Sequence, residues 1–290
     1  MEAKHPGQYQ HILTSLELGV GTLSLNRPSL HNAFDEVMIA EMTQAIQAFA
    51  ANPDCQLLLL RAEGKNFSAG ADLNWMRKQA KMDFEQNLDD AEALAGLMQT
   101  LDRFPKPTLA LVQGAAFGGA LGLICCCDIA IATPKASFCL SEVKLGLIPA
   151  VISPYVIRAM GQRASRRYML TAERFDAAKA AELQVIHEIH EDLDAAAAPI
   201  MSALLANSPQ GMAWVKTLLQ RQENGVIDAA TLAYTSERIA RIRVSEEGQE
   251  GLNAFFDKRP PAWTALSRQT ASSQKAAKAQ EKTDDTPGAQ

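Results

Sequence analysis

Apolar residues recur along the first half of the chain with two alternating periods. Residues 12–18 (ILTSLEL) and 20–26 (VGTLSLN) alternate polar and apolar positions around a glycine, which predicts a β-hairpin. After a loop, Asp35 stands at an N-cap position ahead of Val37, Ile39, Met42, Ile46 and Phe49, the stripe of a helix reaching about Ala51. The run LLLL at 57–60, helix-like residues 83–103, TLALV at 108–112, helix-like LGLICCC and strand-like IAIA then follow in turn. Strands alternating with helices predict an α/β core in which helices pack on sheets. Beyond about Ala159 the strand pattern nearly vanishes, and DAAAAPIMSALLA, PQGMAWVKTLLQ and AATLAYTSERIARIRV read as helices. From about Ser267 large apolar residues almost disappear, the composition of a disordered tail.

Two glycine-punctuated turns interrupt this alternation, FSAGADL at 67–73 and GAAFGGALG at 114–122. Each follows an apolar strand-like run and each opens a helix. Small residues let a ligand approach the main chain, and the first N–H groups of a helix lack internal partners. Together the turns read as two N–H donors aimed at one developing negative charge, an oxyanion hole. Either turn alone reads equally well as a tight strand-to-helix connection.

Composition narrows the partners. With 290 residues, 47% hydrophobic and 21% charged, the chain suits a soluble globular protein, and its net charge of −5 gives no general attraction to nucleic acid or anionic lipid. No segment reaches membrane-spanning length and the N-terminus lacks a signal-peptide core, so a cytoplasmic protein with no membrane or nucleic-acid partner is expected. Cys55, Cys125, Cys126, Cys127 and Cys139 lack zinc-ligand spacing and read as small apolar core residues. HEIH at 187–190 lacks a third clustered ligand, so no metal site is expected. GGALG is neither GxGxxG nor a phosphate-binding loop, and neither Ser141 nor Ser153 lies in a GxSxG turn.

Taken in order, FSAGADL, GAAFGGALG followed by CDIAIA, FCLSEVKLGLIP at 138–149, TAERFDAAKAAELQVIHEI and the late EEGQEGLNAFFDKRPPAW resemble the enoyl-CoA hydratase/isomerase (crotonase) family from about Ile12 to Trp263. The resemblance implies an α/β fold with a ββα spiral core holding an acyl-CoA site over 1–200, a C-terminal helical oligomerisation region over 201–264, a tail over 265–290, and assembly as homotrimers or hexamers. It implies that Ala71 and Gly119 supply the oxyanion donors to an acyl-CoA thioester. Ser68, Ala69, Asp72 and Leu73 match the loop beside CoA, Ser29, Leu30 and His31 the upstream CoA-contacting stretch, and Phe255 and Lys258 late positions that reach CoA in relatives. Asp72 reads equally well as a helix cap. CoA belongs to the substrate, and no separate cofactor is implied.

Many hydratases of this family carry two glutamates. The later one matches Glu142, but the earlier position holds Gly122, which has no side chain to move a proton. Glu142 is therefore expected to act as the acid/base either of hydration or of a 3,2-enoyl isomerisation that uses a single proton shuttle. A scaffold that binds CoA thioesters without turnover is the non-enzyme alternative. NFSAGADLNWMRKQA and SEVKLGLIPAVISPYVIRAMG are similar to bacterial 3-methylglutaconyl-CoA hydratases and, close behind, isohexenylglutaconyl-CoA hydratases, which implies a branched glutaconyl substrate. Lys144, Arg158 and Arg77 are candidates to meet its second carboxylate.

Overall fold

The structure, a computed structural model, describes residues 9–222 and 225–264. Its chain divides into two compact units, Met1–Met201 and Ser202–Gln290.

In the first unit the predicted hairpin forms as antiparallel β1 (Ile12–Glu17) and β2 (Val20–Leu25). Asp35 caps α1 (Glu36–Ala51), its Oδ1 accepting from Met38 N at 2.8 Å. The buried stripe of α1 starts at Met38 rather than Val37, which is only half-buried, and continues through Ile39, Met42, Ala45, Ile46 and Phe49. There follow β3 (Leu57–Ala62), α2 (Leu73–Gln79), α3 (Phe84–Asp102), β4 (Thr108–Val112), β5 (Ala115–Phe117) and α4 (Gly119–Cys126). Next come β6 (Ile129–Ala132), β7 (Ser137–Cys139), α5 (Ser153–Thr171), β8 (Phe175–Asp176), α6 (Ala177–Glu182) and β9 (Glu188–Ile189).

The strands separate into two sheets. One has the order β1-β2-β3-β4-β6-β9, parallel after the first hairpin; the other has the order β5-β7-β8. β4, β5 and α4, then β6, β7 and α5, each place one strand in the large sheet, one in the small sheet, and then a helix. This is the ββα repeat that the resemblance implies. An earlier copy is reduced to a bridge: after β3, Ser68 pairs alone with Ala116 of β5. The GAAF segment, expected as part of a glycine turn, is therefore a short strand, because Ala115 to Phe117 bond to β7 on one side and to Ser68 on the other. The core between sheets and helices is apolar, with Leu58, Leu60, Ala110, Val112, Ala130 and Ala132 facing α1, α3 and α4 residues such as Met42, Leu97, Met98 and Leu121.

All five cysteines are free thiols; Cys55, Cys125, Cys126 and Cys139 are buried and Cys127 half-buried. Burial pushes the Cys125 thiol up to about 12 and raises that of Cys126 further. These are core residues, as expected.

The second unit is built from helices. α7 (Leu193–Ala206) contains the unit boundary, and α8 (Pro209–Arg221), α9 (Ala229–Arg243) and α10 (Glu246–Phe256) follow. Ser208, Asp228 and Ser245 cap the last three, accepting from Gly211 N, Thr231 N and Gly248 N. Ser208 also bonds to Glu247, which ties α8 to α10. Several large apolar residues of this unit stay exposed, among them Leu219, Leu232, Phe255 and Phe256. The predicted tail over 265–290 lies outside the described residues. Among those described, no helix is long and apolar enough to cross a membrane.

Candidate active site

Backbone pairing brings the two glycine turns together. Phe67 N donates to Gln113 O at 2.7 Å, Ser68 N to Ala115 O at 2.9 Å, and Phe117 N to Ser68 O at 3.0 Å. Ser68 and Ala116 are thus parallel partners, and Ala71 and Gly119 each lie three residues beyond that pairing. On its other side the first turn is stitched to the segment before α1. Phe34 N donates to Gly70 O at 2.8 Å and Asp72 N to Phe34 O at 2.7 Å, leaving the Ala71 N–H between them. Gly119 is the first residue of α4, whose N–H has no acceptor within its helix. Among the described residues neither the Ala71 nor the Gly119 N–H has a protein acceptor. Two unsatisfied donors at equivalent register are what an oxyanion hole requires.

Glu142 completes the arrangement. It begins a 3-10 turn, Glu142–Leu145, just after β7, and β7 lies parallel to β5. Gly118 N donates to Cys139 O at 2.9 Å, so the turn before α4 is fastened to the strand that delivers Glu142. Gly118 has φ 56°, and a Cβ on it would lie 3.2 Å from Glu142 Oε1. Only glycine combines that backbone with so close an approach. Glu142 Oε2 is buried and has no hydrogen-bond partner. Burial raises the carboxyl above the usual glutamate range, partly offset by a bond from its own backbone N–H. A half-buried carboxyl with one unsatisfied oxygen, lying against the turn that opens into the free Gly119 N–H, is equipped to take and return a proton beside a developing oxyanion.

Position 122, one turn further along α4, has no room for a side chain. A Cβ there would lie 2.4 Å from Ile152 Cγ2, 2.9 Å from Ile152 Cβ and 3.0 Å from Met98 Sδ.

The loop that carries Ala71 is held by Arg27, which sequence reasoning passed over. Its guanidinium reaches Asp35 Oδ2 at 3.0 Å and Asp72 Oδ2 at 3.2 Å, and donates to Ala33 O at 2.7 Å. Asp72 also caps α2, accepting from Asn74 N at 2.8 Å and Trp75 N at 3.2 Å. Burial works to raise the Asp72 carboxyl, but these N–H groups and Arg27 outweigh it and hold it below the ordinary range. One cation therefore couples the N-caps of α1 and α2. Asn32, fully buried, adds a second tie: its Oδ1 accepts from Arg27 N, and its Nδ2 donates to Glu63 O and Asn66 O. The only sequence signal for either residue is a polar side chain in a short loop, which carries no address for its partners.

Of the remaining candidates, Ser29, Leu30 and His31 lie exposed beside the first turn, to which His31 O is joined by the Ala69 N–H at 3.0 Å. Ala69 and Leu73 are exposed as well, whereas Ser68 is fully buried with its Oγ accepting from Gly70 N at 3.2 Å. Ser68 thus shapes the loop with both its backbone and its hydroxyl, and its buried side chain is not presented to solvent. Phe255 and Lys258 belong to the second unit, Phe255 with its ring exposed. Among the cations weighed for a substrate carboxylate, Arg158 pairs with Asp102, Arg77 donates to Asn74 Oδ1 at 2.8 Å, and Lys144 is exposed two residues after Glu142. His187 accepts from Ala130 N and His190 pairs with Glu188. A cleft of about 950 Å³ between the second half of α5 and α6, lined by Arg163, Arg166, Arg167 and Lys179, contains none of the candidate site residues.

Known proteins share this architecture. The structure superposes on the crystal structure of an enoyl-CoA hydratase from Shewanella pealeana with a TM-score of 0.88, at 73% identity and covering 89% of this chain and 97% of that one. A putative enoyl-CoA hydratase/isomerase (crotonase) from Legionella pneumophila gives 0.84 at 45% identity, over 88% and 99% of the two chains. A putative enoyl-CoA hydratase from Thermus thermophilus is 31% identical over 246 residues, 83% of this chain and 96% of its own length. The architecture is the crotonase fold. With residues 16–266 matching the enoyl-CoA hydratase/isomerase profile as well, the chain belongs to that family.

Proposed function

We propose that this protein is a hydro-lyase that adds water reversibly across the 2,3 double bond of an unsaturated acyl-CoA. The observation that carries the proposal is the buried, unpartnered Oε2 of Glu142 beside the Gly118–Gly119 turn. In the hydration direction Glu142 takes a proton from water as the water oxygen bonds to the β-carbon. The π electrons move onto the thioester carbonyl oxygen, where the Ala71 and Gly119 N–H groups hold the enolate. The same carboxyl then returns its proton to the α-carbon, so the net change is one water added. A carboxyl whose proton affinity burial has raised suits both halves of that cycle. Donors already aimed at the oxyanion need no reorganisation during the reaction.

Within this reaction class the substrate we propose is 3-methylglutaconyl-CoA or a related branched glutaconyl-CoA. What supports it is the likeness of the segments around Ala71 and Glu142 to hydratases of that kind; Lys144, exposed two residues after Glu142, is the cation at hand for a distal carboxylate. Ser29, Leu30, His31, Ala69 and Leu73, exposed around the first turn, are the proposed contacts to CoA in the first unit. Phe255 and Lys258, in the second unit, are further proposed CoA contacts by their place in the sequence alone. The exposed apolar residues of the C-terminal helices fit self-association as trimers or hexamers, which light scattering would measure.

A second reading, isomerisation of a β,γ-unsaturated acyl-CoA, is favoured by one observation: position 122 has no space for a second acid. The test is a spectrophotometric panel of crotonyl-, 3-methylcrotonyl-, 3-methylglutaconyl- and β,γ-unsaturated acyl-CoA. Hydration of the branched glutaconyl thioester above the others supports the proposal. Double-bond migration without water uptake replaces it with isomerisation, and CoA binding without any turnover leaves a scaffold.

A further inference from the structure

Gly122 and Ile152 are read best as one feature. Gly122 lies in α4 one turn beyond the Gly118–Gly119 start that carries the oxyanion donor, and Ile152 is the N-cap of α5. Both Ile152 and Met98, the residues a Cβ at 122 would meet, are buried, at 3% and 0% exposure. Real Cβ atoms do not sit 2.4 and 2.9 Å from other carbons, and both of those contacts come from Ile152. Even alanine at 122 therefore requires Ile152 to move, and a glutamate requires it to be gone. Met98 Sδ, at 3.0 Å, belongs to a flexible thioether chain that yields more readily.

We propose that Ile152 is a specificity-determining residue of this site: its side chain occupies the volume an acid projecting from position 122 would need, and so restricts the enzyme to one-carboxyl chemistry at Glu142. The inference rests on the hydratase reading above and deepens it. Substrates whose hydration needs two positioned carboxyls are then disfavoured, and those that one carboxyl serves are retained.

Two measurements test it, one of them independent of turnover. In a thermal-denaturation cycle, Gly122→Ala is expected to lower Tm on the order of 5 °C in the parent chain and by much less in an Ile152→Gly background, because glycine suits the N-cap backbone and removes both short contacts. Equal losses in the two backgrounds overturn the packing claim. For turnover, the double variant Gly122→Glu with Ile152→Gly is expected to raise the crotonyl-CoA to branched-substrate kcat/KM ratio roughly tenfold or more, and to add a second carboxyl to the pH profile. A folded double variant with the parent ratio and profile overturns the specificity claim. Should the double variant not fold, Ile152→Gly alone is assayed with added formate. A formate-dependent rise in crotonyl-CoA hydration supports the proposal and no response overturns it. Failure of the parent chain to hydrate any enoyl-CoA is visible before a variant is made, and brings down the hydratase reading itself, whatever the thermal cycle shows.

Discussion

Glu142 rests its carboxyl against the bare face of Gly118, with Oε1 3.2 Å from the point a Cβ would occupy, while Oε2 stays buried and unpartnered. Glu142→Gln keeps the shape of that contact and removes the proton transfer. Turnover is expected to fall about 10²–10⁴-fold with CoA affinity nearly unchanged, measured by steady-state kinetics and calorimetric titration. Near-normal turnover would remove Glu142 from the mechanism.

The same burial gives a pH signature. The folded carboxyl of Glu142 titrates above its unfolded value, so its contribution to stability is fully present below the unfolded pKa and is lost as pH rises through the folded one. Thermal melts across that window are expected to show the wild type losing stability relative to Glu142→Gln as pH increases. Parallel curves would mean that the carboxyl is solvated in the protein. The acid limb of kcat/KM is expected above the ordinary glutamate range for the same reason.

Gly119→Pro isolates one oxyanion donor. Proline is favoured at the first position of a helix, where its missing N–H breaks no helical bond, and a Cβ at 119 would meet Phe34 at an ordinary 3.6 Å. The expected result is a near-native melting curve with kcat lower by about 10²–10³. Gly119→Ala, which keeps the N–H, is expected to remain within a few-fold of wild type. Equal losses in both variants would locate the effect in packing.

Removing Arg27 should expose how the first turn is held. Arg27→Met takes the shared cation from the carboxylates of Asp35 and Asp72, 13% and 8% exposed, and leaves them their capping N–H bonds and, for Asp35, His11 at 3.0 Å, so the loss stays below the roughly 3–5 kcal/mol of a wholly uncompensated buried charge. The folded carboxyl of Asp72 titrates below its unfolded value, so its stabilisation is present above the unfolded pKa and is lost as pH falls through the folded one. The variant's acid-unfolding midpoint is expected to move to higher pH, read by circular dichroism. An unchanged midpoint would show that the caps hold without the cation.

Much of this fold was legible in the chain because its signals are local. The alternation of 12–18 and 20–26, the Asp35 cap and the apolar run at 108–112 each specify an element within a few residues. Ala71, Gly119 and Glu142 are legible as candidates through the order of the motifs that carry them. What stayed hidden is long-range. Arg27 gives no local sign that it will bridge Asp35 and an Asp72 that lies 45 residues beyond it, and Gly122 gives none that Ile152 will fill the space beside it. The segment 115–117 was misread because three small residues form a strand only when Ser68 and β7 lie on either side of it.

The Ser68–Ala116 pairing puts both proposed donors, Ala71 and Gly119, at matching main-chain register. The proposed donors are backbone groups, whereas Glu142 stands outside that register at the end of β7 and position 122 carries no acid. Charge stabilisation and proton transfer are thus physically separable inventories in this scaffold. On the proposed function, exchanging side chains around these backbone donors would change the proton transfers and leave the donors in register.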